Sequence, residues 1–258
     1  MAKLSAADRQ AQIVELLSNN GTMKAVDLAD YFQVSRETIR RDLIALSEAG
    51  TVKKWFGGAL SVNDFSVKPV DTRFMDHQDV KRKLCEKAME YIPEHAVLYL
   101  DTGSTVLCFA KLLQQFSGYT VITNSISAMN TLLESNNQII MTGGMVNAQI
   151  MSTYGMQTTA LLKTLRVDAA ILGTAGFDRH SGPSTNHFED AEIKKAAIDS
   201  AQTSIVLADS SKAAYSSLTQ YACWRDIDHL IIDDALSPQI EAQLKETTDV
   251  ITVPAEQA

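Results

Sequence analysis

The sequence predicts an α/β protein in two parts: an N-terminal winged helix-turn-helix module and a larger, doubly wound, mostly parallel α/β domain. Three observations predict it. Before residue 50, short amphipathic runs are separated by turn signals at helix-turn-helix spacing. From Ala96 onward, short apolar runs alternate with helical patterns. The charge divides as well. The chain carries 23 Lys and Arg against 31 Asp and Glu, yet residues 1–58 hold eight basic against seven acidic groups, leaving 15 against 24 for the remaining 200 residues. The acidic excess belongs to the second part. Phosphate binding depends on a local basic patch, and Arg36, Arg40, Arg41, Lys53 and Lys54 supply one.

Ser5 is placed to cap a first helix whose apolar residues Ile13, Leu16 and Leu17 recur at helical spacing until Asn19-Asn20-Gly21 stops it. Ala25, Leu28, Ala29 and Phe32 then mark a second helix, with Asp27 near its positive end. Gln33 and Val34 turn the chain. Ser35 caps a third helix, and Val34 before the cap can pack on Ile39 as a hydrophobic staple. On this helix Ile39, Leu43 and Leu46 share one side. Arg36, Glu37, Arg40, Arg41 and Ile44 fall on an arc of roughly 140° beside it at about 100° per residue. A capped second helix with arginines in its first two turns is the arrangement that enters a DNA major groove, and Arg36, Glu37 and Arg40 are expected to face base edges. Ser35, Thr38 and Arg41 complete the candidate DNA-contact set on that helix. The plainer reading is a protein-contact module with a solvated charged face. Thr51 to Phe56 is β-prone and closed by Gly57-Gly58, the strand of a small wing whose Lys53 and Lys54 are expected to touch backbone phosphate.

Residues 1–59 therefore form the DNA-binding domain, 60–75 a linker without helical period, and 76–258 the larger domain. Val80, Leu84 and Ala88 open the larger domain with a helix, whose Lys81-Arg82-Lys83 run is expected mainly on the exposed side. Strands are expected at Val97 to Leu100, Thr120 to Thr123, Gln138 to Met141, Ala169 to Leu172, Ser204 to Ala208, His229 to Ile232 and Val250 to Val253, with helices between.

Ligands of such sheets bind beyond the carboxyl ends of the strands. The residues there are polar: Asp101-Thr102-Gly103-Ser104-Thr105, then Thr123-Asn124-Ser125, Gly143-Gly144, Gly173-Thr174-Ala175-Gly176 and Asp209-Ser210-Ser211-Lys212. In the first, Gly allows close approach, hydroxyls donate to an anion and a helix N-terminus points at the same spot, as a phosphate cradle requires. Each motif alone is equally a capped turn. Lys212 is the one cation among the five motifs and pairs with a phosphate or a carboxylate, or is an ordinary surface lysine.

The string FQVSRETIRRDL at 32–43, followed by Ala49-Gly50-Thr51-Val52-Lys53-Lys54 and Gly57-Gly58-Ala59, resembles the winged helix of the DeoR family. The five strand-end motifs match that family's sensor domain, which is similar to sugar-phosphate isomerases and CoA transferases. The resemblance implies a repressor of a carbohydrate operon that binds double-stranded operator DNA and is relieved by a phosphorylated sugar or polyol. It implies effector contacts from Asp101, Gly103, Ser104, Thr105, Asn124, Ser125, Gly143, Gly144, Gly173, Gly176, Asp190 and Lys212. The chain departs from the pattern at Lys24, Trp55-Phe56 and Ala213-Ala214-Tyr215. It also has Asp190 where the family commonly has Glu four residues before a Lys, with Glu189 and Glu192 beside it.

Other classes find little support. There is no long apolar run or signal sequence, so a cytoplasmic protein without membrane contact is expected. Cys85, Cys108 and Cys223 lack disulfide or zinc spacing, and no metal or cofactor is expected. No G-x-S-x-G, H-E-x-x-H or Walker A string occurs. The competing reading is a sugar-phosphate isomerase carrying a DNA-binding module, with Asp101, Glu189, Asp190, Glu192 or Asp209 as base. A single winged helix covers little DNA, so a homodimer or homotetramer is expected.

Overall fold

A computed structural model of the chain describes residues 5–20, 22–49, 52–55, 58–61, 74, 76–148 and 150–255. They fall into two compact units, Met1–Lys68 and Pro69–Ala258.

In the first unit, α1 (Ala6–Asn20), α2 (Ala25–Tyr31) and α3 (Arg36–Glu48) enclose a core of Ile13, Leu17, Leu28, Ala29, Ile39, Leu43, Leu46 and Val52. Most of the expected apolar positions are buried, because each amphipathic helix has only this core to pack on, while Leu16, Ala25 and Phe32 pack against it partly exposed. A bridge across that core fixes α3. Arg9 donates through Nε to Asp42 Oδ2 at 2.6 Å and through Nη2 to Oδ1 at 3.2 Å, and Gln10 adds a bond of 3.0 Å. The wing is larger than the sequence suggests: β1 (Thr22–Lys24), β2 (Val52–Trp55) and β3 (Gly58–Ser61) form an antiparallel sheet in the order β1-β3-β2. Leu60 and Ser61, expected in the linker, are ladder residues opposite Thr22 and Val52. The rest of the expected linker, apart from Phe74, lies outside the described residues.

In the second unit Phe74 is helical, and α4 (Gln78–Met89) follows it. Then follow β4 (Val97–Leu100), α5 (Ser104–Leu113), β5 (Thr120–Thr123), α6 (Ile126–Leu132) and β6 (Gln138–Met141). A hairpin of β7 (Met145–Asn147) and β8 (Ser152–Tyr154) leads to α7 (Met156–Thr164) and β9 (Val167–Gly173). The chain continues through β10 (Ser184–Thr185), α8 (Phe188–Ser200), β11 (Ala201–Ala208), β12 (Thr219–Gln220), β13 (His229–Asp233), α9 (Pro238–Lys245) and β14 (Asp249–Val253). Seven strands form one parallel sheet in the order β14-β13-β11-β9-β4-β5-β6. All seven expected strands are present. The β7–β8 and β10–β12 pairs were not anticipated, since strands this short carry no readable alternation.

Both faces of the sheet are covered, so its inner strands read as continuous apolar runs. On β9, Ala169 and Ile171 pack with Leu84 of α4, Phe109 of α5 and Leu132 of α6, whereas Ala170 and Leu172 face Leu162 of α7, Ile193 of α8 and Leu244 of α9. One sequence expectation fails here. Lys81 is not on an exposed face: it is 3% exposed, and its Nζ donates to the Asp76 carbonyl at 2.6 Å. Arg82 is the exposed member of the run, pairing with Glu86 at 3.0 Å. No helix among the described residues is long and apolar enough to cross a membrane.

The strand order creates one topological reversal. From β4 the chain steps outward to β5 and β6, then returns to lay β9 on the other side of β4. The crevice at such a reversal, beyond the carboxyl ends of β4 and β9, is where this architecture has room for a ligand.

Candidate functional site

The first candidate surface is α3. Ser35 accepts from the Thr38 amide at 3.1 Å, and the two hydroxyls lie 2.8 Å apart, so both are engaged in the cap. Arg36 is exposed, and the side chains of Arg40 and Arg41 are 66% and 78% exposed. Glu37 lies between the arginines, 2.7 Å from Arg40 Nε and 3.4 Å from Arg41 Nε. Arg40's hydrogen bond holds the Glu37 carboxyl below its ordinary range. Exposed pairs of this kind exchange readily for phosphate. Behind them Asp42 is turned inward to Arg9, so α3 presents arginines outward while a buried bridge fixes its rotation. Lys53 and Lys54 belong to β2, but their side chains lie outside the described residues.

The second candidate site sits at the β4–β9 reversal. The backbone of Asp101 continues the ladder, donating to Ile171 O at 3.1 Å, and its side chain then crosses to β9, where Oδ2 accepts from the Gly173 amide at 2.9 Å. Lys194 of α8 pairs with the same oxygen, reaches the Gly173 carbonyl at 3.3 Å and lies 3.6 Å from Asp190. Asp190 in turn accepts from Thr102 at 3.4 Å and Thr185 at 2.6 Å. Tyr221 donates to Gly173 O at 2.9 Å, with its ring 5.4 Å from the Lys194 ammonium. Burial pushes the Asp101 carboxyl up to about 6, against the pull of Lys194 and with the help of Asp190. The same two carboxylates outweigh burial at Lys194 and raise its pKa. Asp101 Oδ1 is buried with no hydrogen-bond partner, an unusual state for a carboxylate oxygen.

The five motifs divide when the geometry is examined. At the first, Gly103 has φ +122° and nothing within 4 Å of where a Cβ would stand, so the backbone at the start of α5 is open to an incoming group. Ser104 and Thr105 are buried in the first turn. At the second, Asn124 bridges Tyr99 Oη (2.8 Å) and Thr153 O (3.1 Å), and Ser125 Oγ caps α6 by accepting from Ala128 N at 3.1 Å. At the third, Gly143 is open, whereas a side chain at Gly144 would strike the Tyr154 backbone. Gly144 serves the hairpin. At the fourth, Gly173 N is held by Asp101, and Gly176 packs against the Tyr215 backbone with no room for a side chain. At the fifth, Lys212 is partly exposed and 3.9 Å from Asp209 Oδ2.

Among the three neighbouring acids of α8, Asp190 points inward, while Glu189 and Glu192 are exposed. Glu189 also reaches the rim of a cavity of about 190 Å³ lined by Asn124, Asn147, Ser152, Tyr154, His187 and Asp190, among others. His187 Nε2, like Asp101 Oδ1, is buried without a partner. Lys194, marked in the sequence only as the lysine four residues after Asp190, is the buried cation of the site. Its spacing of four from Asp190 on an otherwise buried helix face was the available signal.

Comparison with known proteins agrees with this division. Residues 76–234 match the DeoR C-terminal sensor domain and residues 9–65 the DeoR-like helix-turn-helix domain. A protein of Escherichia coli O157:H7 assigned as transcriptional repressor of the aga operon is 32% identical over 253 residues, covering 96% of this chain and 94% of its own. The L-fucose operon activator of Haemophilus influenzae is 30% identical, covering 95% and 98%. Among solved structures, a D-ribose-5-phosphate isomerase in complex with phospho-erythronic acid aligns with 54% of this chain and 55% of its own, at TM-score 0.40 and 22% identity.

Proposed function

The chain belongs to the DeoR family of transcriptional regulators, and from that premise we propose that it is a cytoplasmic repressor of a carbohydrate-utilisation operon, released from its operator by a phosphorylated sugar or polyol. One named relative is a repressor and another an activator, so the sign of control is part of the proposal. We assign residues 1–61 to DNA binding, 62–75 to the linker and 76–258 to sensing.

The observation that carries the reading is the open backbone at Gly103, at the start of α5 and beside the buried Asp101–Lys194 pair. Free amides at a helix N-terminus favour an anion. Lys194 does not meet the phosphate charge, because two carboxylates already meet its own; its part is to hold β4, β9 and α8 together under the cradle. The adjoining polar cavity takes the hydroxyl-bearing remainder of the ligand. In this reading Ser104, Thr105, Asn124, Gly143, Asp190 and Lys212 contribute to the effector site, while Ser125, Gly144 and Gly176 shape the turns around it. Binding shifts the population between arrangements that hold operator and those that do not. Two or four copies engage repeated half-sites.

On DNA, Arg36, Arg40 and Arg41 make the principal contacts, with Glu37 released from its arginines or reading a base edge. Selection of binding duplexes from a random pool tests this. The wild type enriches a repeated half-site, and Arg40→Ala/Arg41→Ala enriches none while still binding the effector. Enrichment by the double variant overturns the recognition-helix assignment.

A second reading rests on Asp101: a buried carboxyl near pKa 6 with one unpartnered oxygen is suited to proton abstraction in an aldose–ketose isomerisation. Ketose phosphate formed from an aldose phosphate by wild type and not by Asp101→Asn would establish it.

A further inference from the structure

Two of the three cysteines lie together, against the first turns of α5. Cys85 is fully buried in the middle of α4, and Cys108 is partly buried one turn into α5. Cys85 Sγ donates to the carbonyl of Thr105 at 3.5 Å, one turn before Cys108 on the same helix, and Cys108 packs against the core cluster that holds Cys85, so the two thiols are neighbours. Cys108 sits at the edge of the core. It packs against Phe74 and Leu107, and Lys111 Nζ lies 3.7 Å from the centre of the Phe74 ring.

The charges around the pair differ from those of an inert buried thiol. The hydrogen bond from Cys85, with Lys81, Lys111 and Arg82 nearby, lowers the Cys108 pKa in spite of burial. Burial and the neighbouring Cys108 sulfur raise that of Cys85. A partly accessible thiol in cationic surroundings, beside a second, buried thiol, combines a nucleophile with a resolving partner. Cys223 has a different setting, accepting from Gln220 at 3.5 Å at the start of the 3-10 turn Trp224–Asp226.

We propose that Cys85 and Cys108 are a redox modification site that a hydroperoxide converts to a disulfide joining α4 to α5. The Cys108 thiolate attacks the peroxide, forming an S–O bond as the O–O bond breaks. The released hydroxide or alkoxide takes up the proton that Cys108 had lost. The Cys85 sulfur then attacks the sulfenic sulfur; the S–S bond forms, the S–O bond breaks, and the departing hydroxide leaves as water with the Cys85 proton. Two electrons pass from the thiol pair to the peroxide, and a dithiol reverses the change. The crosslink joins α4 to the helix that begins at Ser104.

The test treats the reduced full-length chain with hydrogen peroxide, alkylates remaining thiols and maps peptides without reduction. The expected product has lost two hydrogens, contains a Cys85–Cys108 linked peptide, carries alkyl only on Cys223, and reverts with dithiothreitol. Cys223→Ser keeps this product, and Cys85→Ala, a small change at a buried site, replaces it with sulfenic or sulfinic Cys108. Circular dichroism confirms that each variant is folded before oxidation. Cys108 climbing to sulfinic acid in the wild type while Cys85 stays alkylatable only after unfolding overturns the proposal, as does a Cys108–Cys223 linked peptide in place of the Cys85–Cys108 one.

Discussion

Lys194 and Asp101 form an ion pair with side chains 4% and 0% exposed, joining the middle of α8 to the carboxyl end of β4 across the reversal of strand order. The pair unites three elements. Asp101 also takes the amide of Gly173 from β9, and Lys194 reaches Asp190 on its own helix. Desolvation makes the net worth of such a pair modest, but removing one partner leaves a buried charge uncompensated.

Lys194→Met therefore destabilises the second unit by about 3–5 kcal/mol at neutral pH. Urea unfolding followed through buried Trp224, in a Trp55→Phe background, measures it. An unchanged midpoint would show that the pair contributes nothing to holding the reversal.

The raised pKa of Asp101 sets the sign of a pH effect. Its folded value of about 6 exceeds the unfolded 3.8, so the native state holds more protons between them. Its contribution to stability is complete below 3.8 and is lost as pH rises through about 6. Unfolding free energies of wild type and Asp101→Asn, measured from pH 3.5 to 7, should diverge in this window, with wild type falling relative to the variant. Parallel profiles contradict the assigned shift.

In the first unit, Arg9→Met strands the Asp42 carboxylate beneath α3 and costs about 3–5 kcal/mol, whereas Arg9→Met with Asp42→Leu recovers most of the loss. Calorimetry reads both. Operator affinity should follow the folded fraction, since neither residue faces DNA in this account; a loss of affinity in the fully folded double variant would assign Asp42 a further part in aiming α3.

Two of the serine caps separate the units. Ser35→Ala should weaken α3, and Ser125→Ala should weaken α6, each by about 1 kcal/mol. In differential scanning calorimetry, Ser35→Ala lowers only the transition of the first unit and Ser125→Ala only that of the second. Ser125→Ala should also leave effector affinity unchanged if its hydroxyl is committed to Ala128.

Much of this arrangement was legible in the chain itself, for local reasons. Ser35 before an amphipathic run marks the start of α3 because capping and periodicity act within one turn, and runs such as Val97 to Leu100 read as strands because both faces of the sheet are covered. The glycines separated only in three dimensions: Gly103 and Gly143 are open, while Gly144 and Gly176 lie against the backbones of Tyr154 and Tyr215, residues remote or moderately distant in sequence. Lys81 looked like part of a solvated run, yet Asp76 and the packing of α4 bury it. The pairing of Lys194 with Asp101 spans most of the sheet's sequence and left only the local Asp190–Lys194 spacing as its trace.

In the proposed function the second unit holds a phosphorylated ligand at the Gly103–Ser104 turn. Thermal unfolding of the full chain against a panel of sugar phosphates, polyol phosphates and the corresponding free compounds tests it most directly, because a ligand bound only by the folded state raises the melting temperature. A selective rise is expected with one phosphorylated compound, absent with its free counterpart and reduced in Ser104→Ala. No rise across the panel, or an equal rise with the unphosphorylated compound, would contradict it.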